Sequence, residues 1–224
     1  AGLSVKQMKR KKPINSDLLR DVQPLTPNQE KLFQSYDNNQ NLVAYGCAGT
    51  GKTFISCYLA FDDMTKNQYE KLVIIRSAVP TRDIGFLPGT EKEKSSVYEE
   101  PYYDISIDLF ERGDAYQILK TKRLVHFMTT SYIRGITLRD AVILIDECQN
   151  MTFHELDSII TRVGENCRVI FCGDFSQSDL KQNGMREFFE ILASMNRFDF
   201  IEFGVEDIVR SGFVKEYIIA KEYA

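Results

Sequence analysis

The sequence predicts an α/β fold: a doubly wound, mostly parallel sheet in three layers, with helices on both faces. Three observations carry this. Short apolar runs, several continuous and β-branched, recur at 41–45, 72–75, 124–128, 141–145, 169–172 and 198–203, as expected of strands buried on both faces. Helical stretches separate them, notably 152–163 and 184–195. Residues 46–53 read Gly-Cys-Ala-Gly-Thr-Gly-Lys-Thr, a complete G-x-x-x-x-G-K-[ST] loop. It stands between the first apolar run and a segment with Phe54, Ile55, Tyr58 and Leu59 at helical spacing. Strand, loop, helix is the setting that this motif requires.

Taken in order, residues 1–23 read as a basic extension. Lys6, Lys9, Arg10, Lys11 and Lys12 precede the first acid, Asp17, and Pro13 and Pro24 follow. Such an arm reads more readily as a solvated tail than as a phosphate contact. One domain is expected over 24–224, opening on a short helix that carries Leu32 and Phe33 and is capped near Thr26. Residues 85–121 break the strand–helix rhythm and read as an insertion of one or two helices. Within it, Glu91-Lys92-Glu93-Lys94 reads as a solvated helix face. Tyr98, Tyr102 and Tyr103 are read as packing residues first and base-stacking residues second. His126, inside an apolar run, reads as a core residue, and His154 has no evident partner.

The loop's chemistry follows from its parts. Gly46, Gly49 and Gly51 allow tight turns, so that the backbone N–H groups of Gly46, Cys47, Ala48, Gly49, Thr50 and Gly51 can cradle nucleotide phosphates. Lys52 is expected to reach the β- and γ-phosphates of ATP, and the Thr53 hydroxyl to hold Mg²⁺. The helix beginning near Gly51 aims its positive end at the same place.

Two further strands end in polar clusters. The run 141–145 delivers Asp146 and Glu147 side by side, and buried unpaired carboxylates are costly without a task. Beside a phosphate loop, Asp146 is expected in the Mg²⁺ shell and Glu147 as the base that orients or deprotonates the attacking water. The run 169–172 ends in Gly173 and Asp174, with Gln177 three residues later. Gln177 is read as a sensor of the γ-phosphate or the water, with an ordinary Gly-Asp turn as the alternative.

Composition narrows the field. A net charge of −4 excludes a globally basic nucleic-acid binder and leaves room for a local patch. No apolar run approaches the ~18 residues of a membrane helix, and no membrane partner is expected. Five cysteines with no C-x-x-C pair point to reduced thiols and a cytoplasmic location.

In their order, the phosphate loop, Asp-Glu-x-Gln at 146–149 and Gly-Asp-x-x-Gln at 173–177 resemble motifs I, II and III of superfamily 1 helicases. Thr26-Pro27-Asn28-Gln29 resembles their adenine-reading glutamine motif, and Arg76-Ser77-Ala78-Val79-Pro80 their motif Ia, which contacts single strands. The chain resembles the PhoH-like ATPases more closely, at Arg76–Pro80, 85–89, 132–138, 145–152 and 173–180. The resemblance covers roughly residues 24–220. Cys148 stands where that family usually has a small alanine, a change expected to alter packing more than chemistry. No added nuclease-like domain is expected, which sets cleavage aside.

The resemblance implies a RecA-like core, ATP hydrolysis with Mg²⁺ and a link to RNA or single-stranded DNA. It also exposes a missing part. Helicases of this kind complete the ATP site with an arginine from a second RecA-like domain, for which this chain is too short. The expectation is a homo-oligomer, a hexameric ring in the fullest form, in which a neighbouring subunit or the terminal region supplies that arginine. Arg162 and Arg210 are the candidates. Resemblance favours Arg210, and a surface ion pair stands as the alternative for either. An ATP-controlled assembly module and a small-molecule kinase are the competing functions.

Overall fold

The computed structural model describes residues 13–77, 91–182 and 184–224. Six strands form one sheet: β1 (Asn41–Gly46), β2 (Lys71–Arg76), β3 (Val125–Thr129), β4 (Ala141–Ile145), β5 (Cys167–Gly173) and β6 (Phe198–Phe203). Their order is β3-β2-β4-β5-β1-β6, and every neighbouring pair is parallel. Among the described residues seven α-helices accompany them: α1 (Pro27–Asp37), α2 (Lys52–Thr65), α3 (Glu91–Phe110), α4 (Ala115–Thr121), α5 (Phe153–Ile160), α6 (Met185–Ser194) and α7 (Gly212–Glu222). None is long and apolar enough to cross a membrane.

The alternation of side chains along each strand builds two cores. Leu42, Ala44, Leu72, Ile74, Val142, Leu144, Ile170 and Cys172 face α1, α2, α3 and α4, whose Leu32, Ile55, Leu59, Tyr102 and Tyr116 complete one layer. Val43, Tyr45, Val73, Ile75, Ile143, Ile145, Val169 and Phe171 face α5 and α6, with Leu156, Ile159, Phe188 and Leu192. All five β4 residues are fully buried, and each such Val, Ile or Leu stabilises the fold by roughly 1.5–3 kcal/mol relative to exposure. This is the three-layer α/β architecture expected, wholly parallel where mostly parallel is predicted.

Two elements differ from the sequence reading. Residues 13–23 are not a loose tail. Ile14 and Val22 are buried in the first core, and Arg20 binds Asp108 of α3 by an ion pair and the Leu109 carbonyl by its own N–H. Apolar positions at Ile14 and Val22, too widely spaced to read as an element, account for this packing. The basic run at residues 6–12, the Gly85–Gly89 stretch and Ala78–Pro80 lie outside the described residues. The other difference is α7, which the sequence reading lacks. The expected insertion contains α3 and α4, and His126 is half-buried with Nε2 near the Arg123 carbonyl.

The carboxyl ends of β1, β4 and β5, three adjacent strands, open onto one edge of the sheet, where parallel α/β folds bind ligands.

Candidate active site

The phosphate loop leaves β1 under tight constraint. Gly46 has φ +118°, and a Cβ there would stand 2.1 Å from the Phe203 carbonyl oxygen, which already accepts the Cys47 N–H at 2.9 Å. Only glycine fits. Gly49 has φ +72°, and a Cβ there would meet the Arg210 Cγ at 2.6 Å. Strand β6 and the segment after it therefore shape the loop as much as the loop's own sequence does.

Lys52 opens α2 and is 5% exposed. Its ammonium donates to the Cys47 carbonyl at 2.6 Å and the Thr50 hydroxyl at 3.1 Å, and pairs with Asp174 Oδ1 at 2.9 Å. A buried cation is tolerated because each N–H has an acceptor. Next in line, the Thr53 hydroxyl donates to Asp146 Oδ1 at 2.9 Å.

Asp146, at the end of β4, accepts three hydrogen bonds: from Thr53, from the Glu147 N–H at 3.0 Å and, on Oδ2, from the Tyr102 hydroxyl at 2.6 Å. Burial pushes its carboxyl up, while these donors pull against that. Glu147 sits in the left-handed region, φ 50° and ψ 41°, a conformation that costs a side-chain-bearing residue on the order of 1 kcal/mol. Its carboxylate accepts from Gln149 Nε2 at 2.6 Å, and Gln149 Oε1 accepts the Asp174 N–H at 3.3 Å. One amide thus spans the two acids. Burial, with the Asp146 charge adding to it, pushes the Glu147 carboxyl up.

Several expected site residues take other positions. Gln177 donates to the Tyr45 hydroxyl at 3.2 Å and lines an aromatic cleft with Tyr45, Phe175, Phe189 and Phe200. Tyr45 faces the second core, so this contact draws Gln177 toward that face, and Gln149 occupies the bridging place instead. Gln29 is 3% exposed, with Nε2 donating to the Thr50 carbonyl at 2.9 Å and Oε1 accepting the Leu25 N–H at 2.8 Å. Both ends of its amide are engaged, so it braces the loop, and contact with a base would require one of these bonds to be exchanged. Beside it, fully buried Asp207 accepts from the Asn28 N–H, from Asn28 Nδ2 at 2.6 Å and from the Gly204 N–H, tying α1 to the end of β6.

Of the two arginines, Arg210 lies at the loop of its own chain. The Val209 N–H donates to the Gly49 carbonyl at 3.0 Å, and the Arg210 stem lies against Gly49. Arg162 lines a separate cleft with Thr130, Ser131 and Arg134. The loop itself opens into a cleft of about 840 Å³ between Cys47, Asp174, Phe203 and the last turns of α7.

Tyr102 has a role that sequence reading misses. It is 1% exposed, so it packs in the core as expected, yet its hydroxyl holds Asp146. One helical turn earlier, Tyr98 accepts from Arg76 through its carbonyl at 3.3 Å and lies under the Arg76 guanidinium at 5.3 Å. Only the pairing of α3 with β4, 44 residues apart, reveals this; no local signal does. Removing the Tyr102 hydroxyl as Tyr102→Phe keeps the ring and leaves one Asp146 oxygen without its donor. For the Mg²⁺-dependent ATP turnover proposed below, the expected result is about a tenfold rise in the Mg²⁺ concentration for half-maximal turnover, with metal-free nucleotide affinity unchanged. A magnesium titration that overlays the parent's would count against this role.

Comparison with known proteins identifies the family. Residues 21–222 match the family model described as PhoH-like protein. A PhoH-like protein of Mycobacterium leprae (strain TN) is 32% identical over 205 residues, covering 90% of this chain and 58% of the relative. Protein PhoH of Escherichia coli (strain K12) is 31% identical over 209 residues, covering 90% and 59%. The chain thus spans somewhat under two thirds of the length of these relatives. Among solved structures, the large terminase of a thermophilic bacteriophage superposes with a TM-score of 0.55 at 13% identity, over 87% of this chain and 50% of the terminase. That likeness shows the fold, a RecA-like core. With the family model matched over nearly all of its length, and the phosphate loop, Asp146 and Glu147 gathered at one sheet edge, the chain belongs to the PhoH-like family of P-loop NTPases.

Proposed function

We propose that the chain is a Mg²⁺-dependent ATP hydrolase coupled to RNA or single-stranded DNA. The observation that carries the hydrolase reading is the chain of contacts Lys52–Asp174–Gln149–Glu147 beside Thr53–Asp146, while the polynucleotide part rests on the resemblance. Lys52 stands ready to exchange Asp174 for the β- and γ-phosphates, and the loop N–H groups to hold the oxygens behind them. Glu147, oriented by Gln149, accepts a proton from water attacking in line. A kinase would turn such a base toward its acceptor's hydroxyl; here Gln149 fixes the carboxylate beside Asp174 and the phosphate loop, which favours water as the nucleophile.

Thr53 and Asp146 suit Mg²⁺: their oxygens lie 2.9 Å apart, both are hard donors, and Mg²⁺ favours one or two carboxylates completed by phosphates and water. The bound ion would supply charge neutralisation of the transferring phosphoryl group.

Oligomerisation is part of the proposal. Phe213, Tyr217 and Tyr223 of the α7 region are 83%, 64% and 78% exposed, and Tyr217 and Tyr223 border the loop's cleft. Large exposed aromatics at the rim of a site favour cover by another protein surface, and a second copy in a ring would close this cleft. Arg210 then acts from its own chain, and the neighbour excludes water. The same aromatics favour the second reading, in which ATP governs assembly and polynucleotide is irrelevant.

The test is steady-state ATP turnover with and without single-stranded RNA and DNA, on a sample whose association state is followed by sedimentation. Turnover should rise severalfold with one polynucleotide and fall on dilution below the association range. Turnover indifferent to both polynucleotides, with association that follows ATP, would replace this reading by the assembly module.

A further inference from the structure

The separate cleft at Arg162, of about 460 Å³, lies between the segment after β3 and α5. It shares no lining residue with the cleft at the phosphate loop. Its walls carry Arg134, Arg162 and His154 together with the hydroxyls of Ser131 and Ser158. Among the described residues, buried Arg162 Nε has no hydrogen-bond partner and neither arginine enters an ion pair. A buried guanidinium N–H without an acceptor costs roughly 1–3 kcal/mol, and the described residues supply none, so an acceptor from outside them would offset that cost.

The one acid on these walls does not fill that role. Glu155 accepts from the Thr130 and Ser77 hydroxyls and from the Thr152 N–H, so its oxygens are committed to joining α5 to the ends of β2 and β3. Burial raises its carboxyl, but these hydrogen bonds outweigh that and hold it below the usual glutamate range. It is a fixed strut, and among the described residues no acid pairs with either arginine. Between the lining residues Ser131 and Ile133 stands Tyr132, 66% exposed. Guanidinium groups and hydroxyls beside an exposed aromatic ring match what a single strand offers: phosphates at regular intervals and bases with open faces.

We infer that this cleft is a phosphodiester-binding subsite for a single-stranded polynucleotide, in which Arg134 and Arg162 hold backbone phosphates and Tyr132 stacks on a base. Resting on the polynucleotide reading above, this gives it a location. Because phosphate contacts carry no sequence information, the subsite is expected to accept strands of varied sequence. Ser77, which ties to the same strut, also joins the cleft to Arg76 and thereby to the Tyr98–Tyr102 turn that reaches Asp146.

The test is fluorescence anisotropy of a labelled oligouridylate and oligothymidylate, roughly 16 nucleotides long, against the full chain across a salt series. Arg134→Gln and Arg162→Gln keep side-chain length and remove charge. Each should weaken binding about tenfold and lower the salt slope by about 1, the release expected for one lost phosphate contact. Tyr132→Ala should weaken binding with the salt slope intact. Affinity for a fluorescent ATP analogue should stay at the parent's value in all three, which also certifies that they fold. If the parent binds polynucleotide and the variants match it in affinity and slope, the subsite is wrong while the polynucleotide reading stands. If the parent binds ATP but no polynucleotide, the broader reading fails. Displacement of the strand by orthophosphate at equal phosphate concentration would assign the cleft to a small anion and overturn the inference.

Discussion

Lys52→Ala is expected to abolish ATP binding and turnover together. The ammonium is the buried positive charge of the site, held within 2.6–3.1 Å of Cys47, Asp174 and Thr50. Without it the β- and γ-phosphates would face Asp174 with no cation between, so repulsion replaces attraction. Loss of one preorganised charge at a transferring group costs on the order of 100- to 1000-fold in turnover, and here the ground-state complex is lost as well. Isothermal titration with ATP and a phosphate-release assay check the two effects separately. The fold should survive, since the exposed half of the pair, Asp174, returns to solvent. Tight ATP binding by the variant would mean that the loop N–H groups alone hold the nucleotide.

Glu147→Gln should divide binding from chemistry. Glutamine keeps the shape and still meets Gln149, but it accepts no proton, so ATP should bind while turnover falls roughly 100-fold or more, the lower end of general-base contributions. The parent should also show an acid limb. Burial and Asp146 raise the Glu147 carboxyl above the ordinary glutamate value, so it is protonated, and inactive as a base, at a higher pH than a free glutamate. Turnover therefore declines as pH falls through that raised value, and Glu147→Gln should lack this limb. Near-normal turnover in the variant would move the base elsewhere.

The sheet is legible in the sequence because β-branched runs such as 72–75 and 141–145 are buried on both faces, and double burial leaves little room for another pattern. The loop, Asp146 and Glu147 are legible because phosphate chemistry requires fixed residue types at short spacing. What escapes depends on distant contacts. Gln177 reads as a sensor from its place after β5, yet a hydroxyl 132 positions earlier, on Tyr45, receives its amide. Gln29 reads as a base contact and braces Thr50, because Asp207 fixes α1 against the end of β6. Helix α7 carries Phe213, Val214, Tyr217 and Ile218 at helical spacing, a pattern that the sequence reading passed over, and none of its residues is buried. Arg162 reads as a candidate finger, and its cleft favours a different anion.

The position of β1 has a consequence for how the chain is made. Its partners are β5 and β6, and Val169 bonds to Asn41 across 128 positions, Asn28 to Asp207 across 179. At synthesis rates of about 5–20 residues per second, roughly 10–35 s separate Asn28 from Asp207 at the ribosome. Through most of that interval the phosphate-loop sequence exists without the Phe203 carbonyl that sets its turn. A nascent chain therefore carries its nucleotide motif long before it carries a nucleotide site. ATP in the surrounding medium stabilises only molecules whose last strand has already closed.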